Sequence, residues 1–331
     1  MSYLQEPLTT GKLPLKNRLV MPPMATSKAE LDGRVSEALL DYYDEKSRGG
    51  AIGLVIIEHN YITKQGQNRE GQPSVADDSR VDGLSRLAAI IHRNGSKTVL
   101  QINHVGGVAK KAVTGFDVVA PSAVTGPTGS ADPTLRALTS DEIAAIPDQF
   151  AAAARRAKAA GFDGVELHSA HGYLLNQFFS PITNRRTDEY GGDVRGRIKL
   201  HLEVITAVRE AVGEGFPILL RLGAADYLEG GTRIEDSVIA AAEFEKAGVD
   251  MLDITGGLSG YLRPEHTEPG YFAELSEAIK NAVSIPVILT GGVTEPEHAE
   301  KLLAEGKADL IGVGRAILKD SGWAQRAVQE A

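Results

Sequence analysis

Two histidines and a tyrosine, His168, His171 and Tyr173, stand close together directly after an apolar run that begins at Gly161. Two neutral imidazole N–H groups that reach one oxygen would polarise a carbonyl, and a neighbouring phenol would deliver a proton. Zinc is the competing use of the two histidines, but no carboxylate or third histidine stands at a neighbouring strand exit in an obvious ligand position. We therefore expect an acid–base site that binds a carbonyl oxygen, without a metal.

Two other apolar runs end in glycine-rich segments, residues 290–293 and 312–315. Glycine lets backbone N–H groups approach an anion closely, and Arg315 adds a positive charge. The alternative is that these glycines only make tight turns. Because both segments are rich in glycine, we expect a phosphate group there, which belongs either to a substrate or to a cofactor.

Arg221 lies inside a further apolar run, residues 217–223. A charged side chain that is buried in a strand needs a partner. An anion or an electron-rich ring would serve, and so would an internal ion pair with Asp226 or Glu166. The residues alone leave these alternatives open.

The elements that must position these groups alternate along the chain. Glycine suits the residue that ends a helix, and an unbroken apolar run suits a strand that is covered on both faces. Eight such strands, each followed by a helix, predict an α/β fold, a (β/α)8 TIM barrel, whose active site forms at the carboxyl ends of the strands. An open doubly wound sheet would account for only part of the pattern. The strands are expected within residues 18–21, 50–58, 95–104, 161–168, 217–223, 248–255, 286–292 and 306–314, and the helices within 37–48, 81–94, 140–160, 198–212, 234–247, 274–282, 295–305 and 323–330.

Two segments interrupt this alternation. Residues 8–15 resemble a short N-terminal β-hairpin that could plug the bottom of the barrel, and residues 110–137 form a long connection of the kind that serves as a lid or is disordered. Ser140 is expected to cap the helix that follows. No linker or low-complexity tract is visible, so we expect residues 1–331 to form a single domain.

Composition excludes several other classes of protein. The 331 residues include no cysteine, which rules out disulfides, thiolate metal sites and a cysteine nucleophile. A net charge of -9 argues against a nucleic-acid surface. No run approaches the ~20 apolar residues of a membrane span, and the first residues do not form a signal peptide. We expect a cytoplasmic protein that has neither a nucleic acid nor a membrane as partner.

Three motifs resemble the old yellow enzyme family. They are Lys16-Asn-Arg-Leu-Val-Met-Pro-Pro-Met24, His168-Ser-Ala-His-Gly-Tyr173 and the long run from Leu174 to Gly192. The similarity covers essentially the whole chain and is highly specific from Glu166 to Arg197. Members of this family are single-barrel oxidoreductases that use FMN and take electrons from NADH or NADPH, so the resemblance assigns the expected phosphate to FMN.

The resemblance also implies a role for each matching position. His168 and His171 would bind the carbonyl oxygen of the substrate, and Tyr173 would donate the proton. Tyr61, where a small residue is common, would narrow the substrate pocket. The flavin would be held by Pro23, Met24 and Ala25 beside its ring, Gln101 at its pyrimidine edge, Arg221 near its N1 atom, and Gly291, Gly292, Gly314 and Arg315 around its phosphate.

The reaction implied by the resemblance is ene reduction, in which hydride passes from FMN to the β-carbon of an α,β-unsaturated carbonyl compound. The alternative is an NAD(P)H oxidase or a reductase of nitro compounds or quinones. A phosphosugar isomerase or lyase would use the same glycine-rich segments without a flavin. The partners would be a small electrophilic substrate and a nicotinamide donor, and a homo-oligomer is compatible with the family. Ala25 stands where relatives often carry threonine or cysteine, so we expect a comparatively negative flavin potential.

Overall fold

The structure, a computed structural model, describes residues 2–126, 129–263 and 265–329. Eight parallel strands close into a barrel, which confirms the predicted (β/α)8 fold. Around the ring these strands are β1 (Leu19–Met21), β2 (Leu54–Tyr61), β3 (Lys97–Asn103), β6 (Gly164–Ser169), β7 (Ile218–Gly223), β8 (Met251–Thr255), β9 (Val287–Thr290) and β10 (Leu310–Gly312), which pairs with β1. Two further strands, β4 (Val119–Ala120) and β5 (Arg136–Ala137), pair with each other outside the barrel.

Helices separate the barrel strands, and each of the eight expected helices is present, with described ends that differ from the expected ones by at most two residues. Four shorter helices occupy the connections. In chain order the helices are α1 (Glu37–Ser47), α2 (Val81–Arg93), α3 (Lys111–Thr114), α4 (Ser140–Ala159), α5 (Leu174–Phe179), α6 (Val194–Arg197), α7 (Lys199–Val212), α8 (Ile234–Ala247), α9 (Ala273–Lys280), α10 (Pro296–Ala304), α11 (Arg315–Lys319) and α12 (Trp323–Gln329). Residue 330, the expected end of the last helix, lies outside the described residues.

The start of α4 differs from the expectation in one respect. The hydroxyl of Thr139 accepts a hydrogen bond from the backbone N–H of Glu142, and the Glu142 carboxylate accepts one from the backbone N–H of Thr139. This reciprocal pair is a capping box, so Thr139 is the capping residue. Ser140, expected to be the cap, is instead the first helical residue.

The N-terminal hairpin is present and closes one end of the barrel. Leu8 and Leu15 exchange two backbone hydrogen bonds of 2.9 Å. Together with Leu13 they pack against apolar side chains from the amino-terminal parts of the barrel strands, including Leu219 and Leu310. Because these leucines are almost fully buried, they fill the bottom of the barrel and leave the carboxyl ends of the strands for the site.

The long connection after β3 is more ordered than the expectation of a lid or a disordered loop. It contains α3 and the pair β4–β5, in which Val119 lies opposite Arg136. Residues 127 and 128 lie outside the described part of the chain. In the residues that the structure describes, no helix is both long and apolar enough to cross a membrane.

Candidate active site

A cavity of about 400 Å³ opens at the carboxyl ends of the barrel strands. Twelve of the expected site residues line it, whereas Tyr61 does not. Its walls are Pro22, Pro23, Met24, Ala25, His59, Arg69, Gln101, His168, His171, Tyr173, Arg221, Thr255, Tyr261, Tyr271, Thr290, Gly291, Gly292, Val293, Gly312, Gly314, Arg315 and Leu318.

The expected position of Tyr61 in the cavity is wrong. Its phenol donates a hydrogen bond of 3.0 Å to the backbone carbonyl of Asp32, and its ring packs beside Gly33. His59, two residues earlier on β2, lines the cavity instead and is 6% exposed. The pairing of β2 with β3 is irregular between Ile57 and Asn60, so the regular alternation of inward and outward side chains is interrupted there.

The rings of His168, His171 and Tyr173 are brought together where β6 ends. His171 has a φ of 58°, and Gly172 follows with a φ of 72°, so the chain turns sharply before α5 begins. The ring centre of His168 lies 5.1 Å from that of His171 and 4.9 Å from that of Tyr173. His59 joins the group, because its ring centre lies 5.5 Å from that of Tyr173.

The paired histidines are uncharged in this environment. Burial lowers the pKa of His168 and of His171 well below the ordinary value, and the positive charge of Arg221 acts in the same direction. His171 Nε2 lies 3.1 Å from the Thr255 hydroxyl, and the buried His168 Nδ1 has no hydrogen-bond partner in the part of the chain that the structure describes. Two neutral imidazoles on one wall can each present an N–H group to an oxygen of a ligand.

Tyr173 is held as a protonated phenol. Burial raises its pKa, and the nearby charge of Arg69 opposes that rise only in part. The amide Nδ2 of Asn68 donates a hydrogen bond of 3.1 Å to the Tyr173 oxygen. Because the oxygen acts as the acceptor in this contact, its own proton is free to point into the cavity.

Arg221 at the floor of the cavity has a partner that the sequence did not indicate. Its Nη1 lies 3.1 Å from Oδ2 of Asp253, and both side chains are almost completely buried. The expected internal partners are therefore wrong as direct ion pairs: Asp226 accepts hydrogen bonds from Ser180 and two backbone N–H groups instead. The buried Arg221 Nε has no hydrogen-bond partner among the described residues, so the guanidinium still has capacity for a ligand.

A second buried carboxyl group lies beside this ion pair. Gln101 Nε2 donates a hydrogen bond of 2.6 Å to Glu166 Oε2. Burial and the negative charge of Asp253 raise the pKa of Glu166 to about 8, although Arg221 opposes the rise. Burial raises the pKa of Asp253 as well, so the two carboxyl groups retain a proton between them to a higher pH than exposed carboxyl groups would, beside the guanidinium of Arg221.

The glycine-rich exits of β9 and β10 lie at the other end of the cavity. Gly292 has a φ of 73°, and a side chain there would meet the ring of Tyr271 at 2.7 Å. The turn thus requires glycine for its own packing as well as for access to backbone N–H groups. Arg315 is exposed at the same end, and among the described residues it forms no ion pair with a carboxylate. An anionic ligand would supply that missing partner.

These features fit a flavin with a terminal phosphate. The unpartnered Nε of Arg221 can bind the electron-rich edge of the ring, and Gln101 stands on the same floor. Pro23, Met24 and Ala25 provide an adjoining wall, while Gly314 and Arg315 stand at the anion-binding end. Within the described part of the chain, no group of three or more histidine, aspartate or glutamate side chains could hold a metal ion.

Comparison with known proteins gives the family. The NADH:flavin oxidoreductase / NADH oxidase family matches residues 3–331. An NADH oxidase of Thermoanaerobacter brockii is 44% identical over 323 residues, which are 96% of this chain and 49% of that protein, so this chain spans about half its length. An NADPH dehydrogenase of Clostridium acetobutylicum is 38% identical over 95% of this chain and 91% of its own length.

A solved structure shows the same fold. The old yellow enzyme homologue from Zymomonas mobilis is 29% identical, covers 99% of this chain and 93% of its own, and superposes with a TM-score of 0.86. The family confirms the expected cofactor, FMN, and the relatives named here are an NADH oxidase and an NADPH dehydrogenase. On these grounds the chain belongs to the NADH:flavin oxidoreductase / NADH oxidase family, the family of the old yellow enzymes.

Proposed function

We propose that this protein is an ene-reductase that acts on α,β-unsaturated carbonyl compounds. The observation that carries the proposal is the grouping of two neutral imidazoles, His168 and His171, with the protonated phenol of Tyr173 in one cavity. FMN, when bound, would supply the redox chemistry: its oxidised form would take hydride from NADH or NADPH, and its reduced form would give hydride to the β-carbon of the substrate.

The chain's own side chains perform the polar part of this reaction. His168 and His171 donate hydrogen bonds to the carbonyl oxygen, which draws electron density away from the β-carbon. Tyr173 donates its proton to the α-carbon, and Asn68 stays hydrogen-bonded to the phenol oxygen while that proton leaves. Because both histidines are neutral, the pair binds a carbonyl oxygen without requiring a charged substrate.

The remaining wall residues are assigned to the cofactor. Arg221 and Gln101 would hold the pyrimidine edge of the flavin, where the Arg221 charge would stabilise negative charge. Gly291, Gly292, Gly314 and Arg315 hold the phosphate, while Pro23, Met24 and Ala25 lie along the ring. The positions of these residues around one cavity support this assignment.

A second activity is oxidation of NADH or NADPH with another acceptor. The 44% identical relative from Thermoanaerobacter brockii is named an NADH oxidase. Such a reaction needs only the reduced flavin, so it depends less on His168 and His171. Reduction of nitro compounds or quinones would share this independence.

An absorbance experiment distinguishes these activities. The purified protein is loaded with FMN, reduced without oxygen by NADH or NADPH, and then mixed with cyclohex-2-enone. Return of the flavin bands on adding the enone supports ene reduction, whereas return only with oxygen supports the oxidase.

Replacing both His168 and His171 by alanine should abolish the reaction with the enone and leave FMN bound. Unchanged turnover in that variant would refute the assignment of the carbonyl site.

A further inference from the structure

The wall formed by the exit of β2 and the segment after it carries polar groups that the proposed reaction does not use. His59 lies at one end of the row of rings, next to Tyr173 and 6.3 Å from His168 between ring centres. Arg69 stands beside it at the cavity wall. Neither residue was singled out by the sequence, and neither is needed to polarise a single carbonyl oxygen.

The tautomer of His59 follows from its surroundings. The backbone N–H of Asn68 donates a hydrogen bond of 2.7 Å to Gln72 Oε1, which fixes the orientation of the Gln72 amide. Gln72 Nε2 then points at His59 Nδ1 at 2.6 Å, so Nδ1 must be the acceptor. The ring proton therefore sits on Nε2, and burial lowers the pKa of His59 to about 4, which keeps the ring neutral. Among the described residues, none accepts a hydrogen bond from this Nε2–H.

Arg69, which is exposed to solvent, adds a positive charge to the same cavity wall. No carboxylate among the residues in the described ranges forms an ion pair with its guanidinium. Its backbone carbonyl accepts a hydrogen bond of 2.8 Å from the buried side chain of Gln67, so the main chain at this position is tied to the wall. The charge reaches both His59 and Tyr173, because it lowers the pKa of each side chain.

We propose that His59 and Arg69 form a second subsite, which binds an anionic group, such as a carboxylate, that the substrate carries in addition to its reacting carbonyl. This inference rests on the proposed function, because it places the subsite beside the reacting carbonyl. A neutral substrate with one oxygen would leave the buried His59 N–H without a partner and the Arg69 charge with water alone, whereas a carboxylate would accept a hydrogen bond from His59 and pair with Arg69. The preferred substrates are therefore α,β-unsaturated carbonyl compounds with an acidic substituent.

The nicotinamide donor is the other source of anionic oxygen that enters this cavity. His59 is almost completely buried, and its ring lies next to that of Tyr173, the proton donor. This position favours an anionic group on the substrate itself over the phosphates of NADH or NADPH. Measuring the two half-reactions separately distinguishes these sources.

The test compares trans-4-oxopent-2-enoate with its methyl ester on the FMN-loaded protein. The two compounds contain the same enone, but only the acid carries a negative charge. They also differ in intrinsic reactivity, and this difference cancels when the ratio of their kcat/KM values is compared between variants. Arg69→Gln and His59→Leu should each lower the acid-to-ester ratio about tenfold, the loss expected for one charge-assisted hydrogen bond. Arg69→Lys, which keeps the charge, should retain most of the preference.

A binding measurement provides a second readout. The saturated acid 4-oxopentanoate should perturb the spectrum of the oxidised flavin, with a dissociation constant that rises about tenfold in Arg69→Gln. Arg93→Gln is the matched control, because Arg93 is an exposed arginine at the end of α2, the helix that leads into the amino-terminal end of β3 on the opposite face of the barrel. It removes the same charge and should change neither the ratio nor the dissociation constant.

Each other outcome has a definite meaning. An acid-to-ester ratio that is the same in all variants overturns the subsite and leaves the ene-reductase proposal intact. Weaker binding of NADH or NADPH in Arg69→Gln with an unchanged ratio also overturns it, because the charge would then serve the donor. If NADH or NADPH bleaches the flavin absorbance of the wild-type protein but neither compound is then reduced, the proposed function itself fails.

Discussion

Replacing Glu166 by glutamine is expected to remove a large pH dependence from the stability of this protein. Burial and the charge of Asp253 raise the pKa of Glu166 from 4.5 to about 8. At about 1.36 kcal/mol per pKa unit, this rise corresponds to roughly 5 kcal/mol. The native state therefore holds the proton to a higher pH than the unfolded state does. Consequently, the free energy of unfolding falls as the pH rises through the window from 4.5 to about 8.

Glutamine tests this reasoning because it preserves the shape of the protonated acid and cannot ionise. Its amide oxygen can still accept the hydrogen bond from Gln101 Nε2. Urea unfolding of the FMN-loaded protein from pH 5 to pH 9 should show the variant gaining several kcal/mol relative to the wild type as the pH rises. Glu305→Gln, which changes an exposed carboxylate, should follow the wild-type profile. Parallel profiles for wild type and Glu166→Gln would show that Glu166 is not a neutral acid in the native state.

Three further predictions concern the cavity. Tyr173→Phe should slow reoxidation of the reduced flavin by an enone by about 10²–10⁴ in stopped-flow measurements and leave reduction by NADPH unchanged; an equal effect on both half-reactions would contradict its role as proton donor. Relative to Glu166→Gln, the double variant Glu166→Gln/Asp253→Asn should lower the free energy of unfolding by about 3–5 kcal/mol, because neither carboxyl group can then compensate the buried Arg221 charge, and a loss below 1 kcal/mol in urea titrations would argue against the ion pair. Ala25→Thr should make the flavin midpoint potential less negative, since threonine adds a hydrogen-bond donor; equal potentials in a spectroelectrochemical titration would refute this.

The strands and helices could be predicted from the sequence because the barrel repeats one local pattern. Each strand is an apolar run covered on both faces, and a turn led by glycine or proline precedes most of them, so the signal lies within a few residues. The capping residue of α4 was less certain, since Thr139 and Ser140 are adjacent and both can cap a helix. Only the reciprocal contact with Glu142 distinguishes them.

The site was predictable where its residues are neighbours in sequence, as His168, His171 and Tyr173 are. The Arg221–Asp253 pair depends instead on the register of two adjacent strands, in which these residues lie directly opposite each other. His59 was missed for a different reason. Strict alternation of side chains along β2, counted from the buried Ile56, would place His59 on the outer face of the barrel. The irregular pairing of β2 between Ile57 and Asn60 places the His59 ring in the cavity instead.

The hairpin at the bottom of the barrel also has a consequence for folding. Leu8 and Leu15 pack in one cluster with Leu54, Leu219 and Leu310, so their partners come from the beginning, middle and end of the sequence. During synthesis, residues 8–15 leave the ribosome long before Leu310 does. The apolar side chains of the hairpin therefore lack part of the surface that buries them until the eight strands have closed into the barrel. Contacts of such long sequence separation slow folding. Closure of β10 onto β1 and burial of the hairpin are thus expected to be one cooperative, late event.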